Sequence, residues 1–160
     1  CLNLLEKAGY ERYEISAFSK KNFECKHNLN YWRFGDYIAV GAGAHGKYRL
    51  TNDDMIRYQN ASNPNIYMKN IILNKSNHKE KLLSNSDKIF EFMLNNLRLM
   101  SGFSIAHFES ATGLKYDAIE KKLSELNNLK LMKYYPSGYW KPTALGFKFL
   151  DNLQCEFLKV

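Results

Sequence analysis

The sequence predicts an α/β segment followed by an α+β domain of winged-helix-like pattern, and three observations carry this. Residues 1–50 read as a helix followed by two short strands, each leading into a polar loop. Residues 51–85 are polar and rich in Asn, Lys and Ser. Residues 86–160 give three helical patterns, a hairpin signal and a closing helical pattern. A helix and short strands that feed long loops suit the last units of a parallel sheet or barrel, where loops after the strand ends carry the chemistry.

In order along the chain, Leu2, Leu5 and Ala8 share one helical face, and Gly9 follows as a stop. Arg12–Ile15 is the first strand candidate, and Ser16–Lys26 a polar loop that leads into an aromatic stretch. Tyr37–Val40 is the second strand candidate, ending in Gly41-Ala42-Gly43. A short helix is predicted near Pro64–Leu73 and a linker over Asn74–Ser86. Ser86 can cap a helix over Asp87–Met100, with Ile89, Met93, Leu97 and Met100 at helical spacing and Gly102 ending it. Ser104 can cap a short helix that ends at Gly113. A third helix follows, with Tyr116, Ile119, Leu123 and Leu126 on one face. Met132–Tyr135, the turn Pro136-Ser137-Gly138 and Tyr139–Lys141 make the hairpin. Thr143 can cap a last helix with Leu145, Phe149, Leu153 and Phe157 at steps of four. The domains predicted are 1–75, a linker at 76–85, and 86–160.

Composition is that of an ordinary globular chain: 45% hydrophobic and 24% charged over 160 residues. The 3 cysteines lie far apart with no CxxC pair, which disfavours a zinc knuckle and fits a reducing, cytoplasmic setting. The longest apolar run, Tyr37–Ala44, is too short to span a bilayer, and no signal peptide is visible. The net charge of +7 is spread along the chain, so it permits anionic partners without choosing among them. Because the chain opens at Cys1 inside a helical pattern, it is expected to be the C-terminal part of a longer protein.

Gly41, Gly43 and Gly46 spell G-x-G-x-x-G after a strand candidate. Such a turn lets backbone N–H groups approach a phosphate or another close ligand. A Rossmann site would open a helix here and place an acidic residue about 20 residues on. Instead Lys47–Leu50 reads as extended and residues 55–69 hold no Asp or Glu, so that fold is rejected. A ligand-side turn and a tight strand-to-strand turn both remain, and His45 within it is either structural or functional. His27, Asn28, Tyr31 and Trp32 are a richer set. An imidazole ligates iron well and haem iron is commonly held by a His, while flanking aromatics would cover a flat macrocycle. The alternative is a loop whose aromatics only pack. The winged-helix pattern also raises nucleic-acid binding. However, the third helix mixes Lys115, Lys121 and Lys122 with Asp117, Glu120 and Glu125 and has no Arg, so no nucleic-acid partner is expected.

Three runs then carry a resemblance: Tyr13-Glu14-Ile15-Ser16, Cys25 to Tyr37 (CKHNLNYWRFGDY) and Gly41 to Lys47 (GAGAHGK). Together they resemble the radical-SAM haem chaperone family (HemW), long labelled oxygen-independent coproporphyrinogen III oxidase-like. The Glu91-Phe92-Met93 helix with Arg98-Leu99, and the ending from Leu145, are similar to that family's C-terminal domain. The resemblance implies that 1–75 is the end of a partial TIM-like radical-SAM barrel, followed by the winged-helix-like domain. It implies a parent that holds a [4Fe–4S] cluster and S-adenosylmethionine, with the cluster ligands outside this chain. The family's H-N-x-x-Y motif falls on His27, Asn28 and Tyr31, implying haem binding there, and the segment Gly41, Gly43, Ala44 and His45 is implied to lie near S-adenosylmethionine. The expected function is haem binding and delivery to haem-acceptor proteins, membrane-associated ones among them, with a homodimer allowed. The alternatives are a coproporphyrinogen III oxidase and a winged-helix nucleic-acid module. This chain alone is not expected to be an enzyme.

Overall fold

The computed structural model describes residues 2–50 and 54–158. They fall into two compact units: Cys1–Gly35 with Asn85–Val160, and Asp36–Ser84. The first part of the first unit contains α1 (Leu2–Lys7), β1 (Glu11–Glu14), β2 (Ala17–Ser19) and α2 (Lys26–Trp32). The second unit contains β3 (His45–Arg49), β4 (Met55–Asn60), α3 (Pro64–Ile72) and β5 (His78–Leu82). The first unit resumes with α4 (Asn85–Asn96), β6 (Phe103–Ser104), α5 (Ile105–Thr112), α6 (Asp117–Asn128), β7 (Met132–Tyr135), β8 (Tyr139–Pro142), α7 (Ala144–Lys148) and α8 (Leu150–Cys155).

The winged-helix-like order is present: helix, short strand, two helices, then a hairpin, with the sheet ordered β6-β8-β7. Its punctuation follows the side chains read from the sequence at α5 and α7, whereas α4 runs Asn85–Asn96, so Ser86 lies inside that helix instead of capping it. Ser104 accepts from His107 N–H at the start of α5, and Gly113 closes that helix with a left-handed φ of 73°. Thr143 accepts from Gly146 N–H at the start of α7. The apolar face of α6 buries Ile119, Leu123 and Leu126. The core is aromatic: Phe92 of α4 is fully buried and meets the rings of Phe34, Phe103 and Phe108 at 5.9, 5.3 and 5.2 Å.

The closing helix differs from expectation. It breaks at Phe149, whose φ of −114° and ψ of 37° separate α7 from α8. Leu145 and Phe149 stand exposed, while Leu150, Leu153 and Phe157 turn inward. Gln154 Nε2 donates to Leu94 O at 2.8 Å and fixes α8 on α4.

The early strands also differ. Arg12–Ile15 forms much of β1, but β1 pairs antiparallel with β2 instead of joining a parallel sheet, and every named strand pair among the described residues is antiparallel. The other edge of β1 is covered by Arg98–Met100: Ile15 N–H donates to Arg98 O at 3.1 Å, and Met100 N–H to Tyr13 O at 3.0 Å. The polar loop expected over Ser16–Lys26 contains β2, and the aromatic stretch after it forms α2. Tyr37–Val40 is not a strand. Tyr37 makes one bridge to Lys47, while Ile38 and Val40 stay exposed.

In the second unit the sheet is ordered β3-β4-β5. Asn63 caps α3 by accepting from Asn65 and Ile66 N–H, with Pro64 at the first helical position. The linker expected over 76–85 is largely β5, whose sequence HKEKL is exposed throughout and joins β4 through its backbone. The boundary at 75 falls inside the second unit, and residues 1–35 group with 85–160, not with 36–75.

Candidate functional site

The site expected from sequence is carried by α2, KHNLNYW. The helix starts after Cys25, whose backbone is extended and whose side chain makes no cap bond. It stops at Arg33, where Phe34 takes a left-handed φ of 63° and Gly35 N–H returns to Asn30 O at 2.8 Å. That conformation costs a non-glycine residue about 1–2 kcal/mol. Burial of Phe34 against Phe92 offsets it. A Cβ on residue 35 would lie 2.2 Å from Asn30 Oδ1, so the turn requires glycine there.

On the outer face His27 and Tyr31 are one turn apart, with ring centroids at 4.8 Å and planes at 77°. His27 is exposed; Asn28 and Tyr31 are half-buried. Trp32 anchors the helix from the other side. The Arg98 guanidinium lies 4.4 Å from its ring centroid, a cation–π stack. Arg98 donates to Glu14 Oε2 and to Ser16 Oγ, each at 3.1 Å. Glu14 Oε1 accepts from Ser16 N–H and from Ser16 Oγ, each at 2.8 Å. Glu14 is buried, and this shell satisfies both of its carboxylate oxygens. The Tyr13–Ser16 run thus steadies α2 through Arg98 and Trp32, leaving the His27 ring exposed.

Gly41, Gly43, Ala44 and His45 belong to the second unit, and His27, Asn28 and Tyr31 to the first. In the glycine turn Gly41 and Gly43 have φ of 101° and 72°. Their N–H groups are used internally: Gly41 donates to Tyr67 Oη at 3.2 Å and Gly43 to Ala61 O at 3.0 Å. Ala44 N–H reaches Gly41 O at 3.4 Å, and Asn60 Nδ2 donates to Gly41 O at 2.9 Å. An anion cradle would aim these amides at a ligand. Gly46 has its own reason, since a Cβ there would lie 2.2 Å from the Tyr58 ring. His45 is exposed at the start of β3, opposite Gln59.

Comparison with known proteins places these features in a family. Residues 83–147 match the family described as the HemN C-terminal domain. The chain is 37% identical over 158 residues to "Heme chaperone HemW" of Haemophilus influenzae, covering 97% of this chain and 39% of that protein. The chain is thus strongly similar to the HemW proteins over nearly its whole length. It is also 38% identical over 155 residues to the HemW of Escherichia coli, covering 97% of this chain and 40% of that protein. The chain therefore spans about two-fifths of the length of these relatives. Among solved structures it matches the Escherichia coli coproporphyrinogen III oxidase HemN, described as a radical SAM enzyme, with a TM-score of 0.62 at 15% identity. That match covers 98% of this chain and 38% of the HemN chain and shows the fold. Among the described residues, no group of three or more His, Cys, Asp or Glu is placed to hold a metal ion. No helix among them is long and apolar enough to cross a membrane.

Sequence reasoning missed His107 of α5. Its Nε2 lies 3.1 Å from Arg33 O, which only accepts, so Nε2 carries the proton. Its ring packs 5.3 Å from that of Phe92. Burial pushes its pKa below 6.5, and the nearby Arg33 charge acts in the same direction, against a smaller upward effect of the Arg33 hydrogen bond. The unfolded chain therefore binds a proton here at a pH where the folded chain does not. His107's contribution to stability is full above about pH 6.5 and falls as pH drops toward the folded value. Urea midpoints at pH 7.5 and 5.5 are expected to show this loss, and His107→Gln to reduce it. An unchanged pH dependence in the variant would assign the effect to another group. The only sequence cue was a His one turn into a capped helix; its partner is 74 residues away.

Proposed function

We propose that this chain is the haem-docking part of a haem chaperone of the kind its relatives' names describe, with His27 as the iron ligand and Asn28 and Tyr31 beside the macrocycle. The observation that carries the reading is the outer face of α2: an exposed imidazole, edge-to-face with Tyr31, on a helix anchored from behind by Trp32, Arg98 and Glu14. The His27 ring makes no hydrogen bond among the described residues, so its nitrogens are available. A neutral imidazole suits iron, and an exposed site suits a cargo that must leave again. Bound haem would supply an iron for the His27 imidazole to hold and a Soret band that reports its ligand. Delivery to a haem-acceptor protein is the partner interaction this reading requires.

The longer parent would hold S-adenosylmethionine and a [4Fe–4S] cluster, as radical-SAM proteins do. Gly41, Gly43, Ala44 and His45 would lie near the former. The internally bonded amides of that turn do not fit an anion cradle, so these residues would shape the wall and not grip the cofactor. The oxidase alternative rests on fold alone. For the nucleic-acid alternative, the α6 cation Lys122 is already held by Glu125 at 3.2 Å and Glu156 at 3.3 Å.

The test is an anaerobic hemin titration of the wild-type chain and His27→Ala. The wild type is expected to shift the Soret band. His27→Ala, an exposed substitution, is expected to lose that shift and at least tenfold in affinity, and added imidazole to restore the band. Identical spectra and affinities for the two proteins would overturn the assignment.

A further inference from the structure

A second feature of the first unit lies beside the end of α2. A cleft of about 560 Å³ opens between Arg33, the segment Leu99–Gly102, His107 and the β7–β8 wing. That volume is in the range of small-molecule pockets. Gly102 sets its shape: with φ of 68°, a Cβ there would lie 2.1 Å from Trp140 O, so only glycine lets the wing approach this closely. Arg33 and Lys141 supply two positive charges, Ser137 and Tyr139 supply hydroxyls, and no Asp or Glu is among the lining residues.

These charges are not neutralised locally. Neither Arg33 nor Lys141 makes an ion pair among the described residues, and the Lys141 ammonium sits 5.4 Å from the Tyr135 ring centroid. Arg33 is also fixed at its backbone, since His107 Nε2–H donates to its carbonyl at 3.1 Å. Unpaired cations facing a common cleft with hydroxyl donors match an oxyanion ligand, and the planar guanidinium fork suits a carboxylate.

Position selects the source of the carboxylate. Arg33 follows α2 directly, 6 residues after His27. On a helix that is about 9 Å of rise and about a third of a turn around the axis. A porphyrin spans such a distance from its central metal to its propionate carboxylates. We propose that the cleft is the propionate subsite of the haem site, with Arg33 and Lys141 holding the carboxylates and Tyr139 and Ser137 donating to them. This rests on the reading of α2 as the haem helix.

Three probes separate the two claims. Wild type, His27→Ala and the double variant Arg33→Gln/Lys141→Gln are titrated with hemin, hemin dimethyl ester and the metal-free dicarboxylate mesoporphyrin IX. The double variant is expected to bind hemin roughly tenfold or more weakly, the loss of charge-assisted hydrogen bonds. Its Soret position should stay as in the wild type, because His27 is intact. The dimethyl ester should bind the wild type weakly and ignore the substitutions. Mesoporphyrin IX has no iron for an imidazole to hold. Its binding should depend on Arg33 and Lys141 even if hemin proves indifferent to His27, so failure of the iron ligand leaves the subsite standing. Equal hemin affinity in the double variant, or an ester that binds as tightly as the diacid, would overturn the subsite. Displacement of mesoporphyrin IX by millimolar inorganic phosphate would also overturn it, by showing a general anion site.

Discussion

Phe92→Ala should lower the stability of the first unit by about 3–5 kcal/mol, the range for truncating a buried aromatic. Phe92 has no exposed surface, and four rings surround it: Phe34, Phe103, His107 and Phe108. These come from the end of α2, from β6 and from α5, so one side chain joins α2 to the winged-helix core. The surrounding rings are rigid and come from separate elements, which limits collapse into the void and favours the upper part of that range. With urea slopes of about 1–3 kcal/mol/M, the midpoint should fall by about 1 M or more. Phe92→Leu, which keeps much of the volume, should lose less. A midpoint unchanged by Phe92→Ala would mean that the aromatic cluster does not hold the unit together. Because Phe34 rests on Phe92, hemin affinity should fall along with stability, whereas His27→Ala should change affinity alone.

Glu14→Ala is the second large effect expected. Its carboxylate is buried and accepts from Arg98, Ser16 N–H and Ser16 Oγ. Breaking a buried pair by removing one partner costs about 3–5 kcal/mol, mostly by stranding the other charge. The Arg98 side chain keeps 26% of its surface exposed, so water would relieve part of that cost. A loss of about 2–4 kcal/mol is expected on those grounds. Glu14→Gln retains an acceptor and should lose less. The substitution also frees Arg98 from its position over Trp32, so the Trp32 fluorescence should shift even in conditions where the chain stays folded. Chemical denaturation with fluorescence detection reads both. A full-strength wild-type transition with an unaltered Trp signal would show that the Glu14–Arg98 pair is incidental.

The winged-helix half was legible because its information is local. Ile119, Leu123 and Leu126 repeat at helical spacing, Ser104 and Thr143 cap helices by accepting from N–H groups three residues on, and Gly113 stops one. The first 50 residues were less legible because their structure depends on distant partners. β1 has its outer edge covered by Arg98–Met100, and nothing within Arg12–Ile15 reveals that. No helix was expected over Lys26–Trp32 because His, Asn and Tyr do not mark an apolar stripe. The four-residue step from His27 to Tyr31 was nevertheless a helical spacing, and the structure uses it. β5 escaped because HKEKL has no apolar face and pairs only through its backbone. For the candidate site, the type and place of His27, Asn28 and Tyr31 were visible, while the buried Glu14–Arg98 support and the Arg33–His107 contact required the fold.

The Glu14–Arg98 pair has a consequence for the order in which the chain is made. Its two members are 84 residues apart in sequence. At about 5–20 residues per second on the ribosome, several seconds pass between them. Through that interval the β1–β2 hairpin has an uncovered edge, and the buried carboxylate of Glu14 has no cation to meet it. A lone two-stranded hairpin is marginal in water. The segment that anchors α2 should therefore acquire its shape late, only once residues around Arg98 have emerged. The acidic residue and polar turn of Tyr13–Ser16 would keep that waiting edge soluble and discourage it from pairing with another nascent chain.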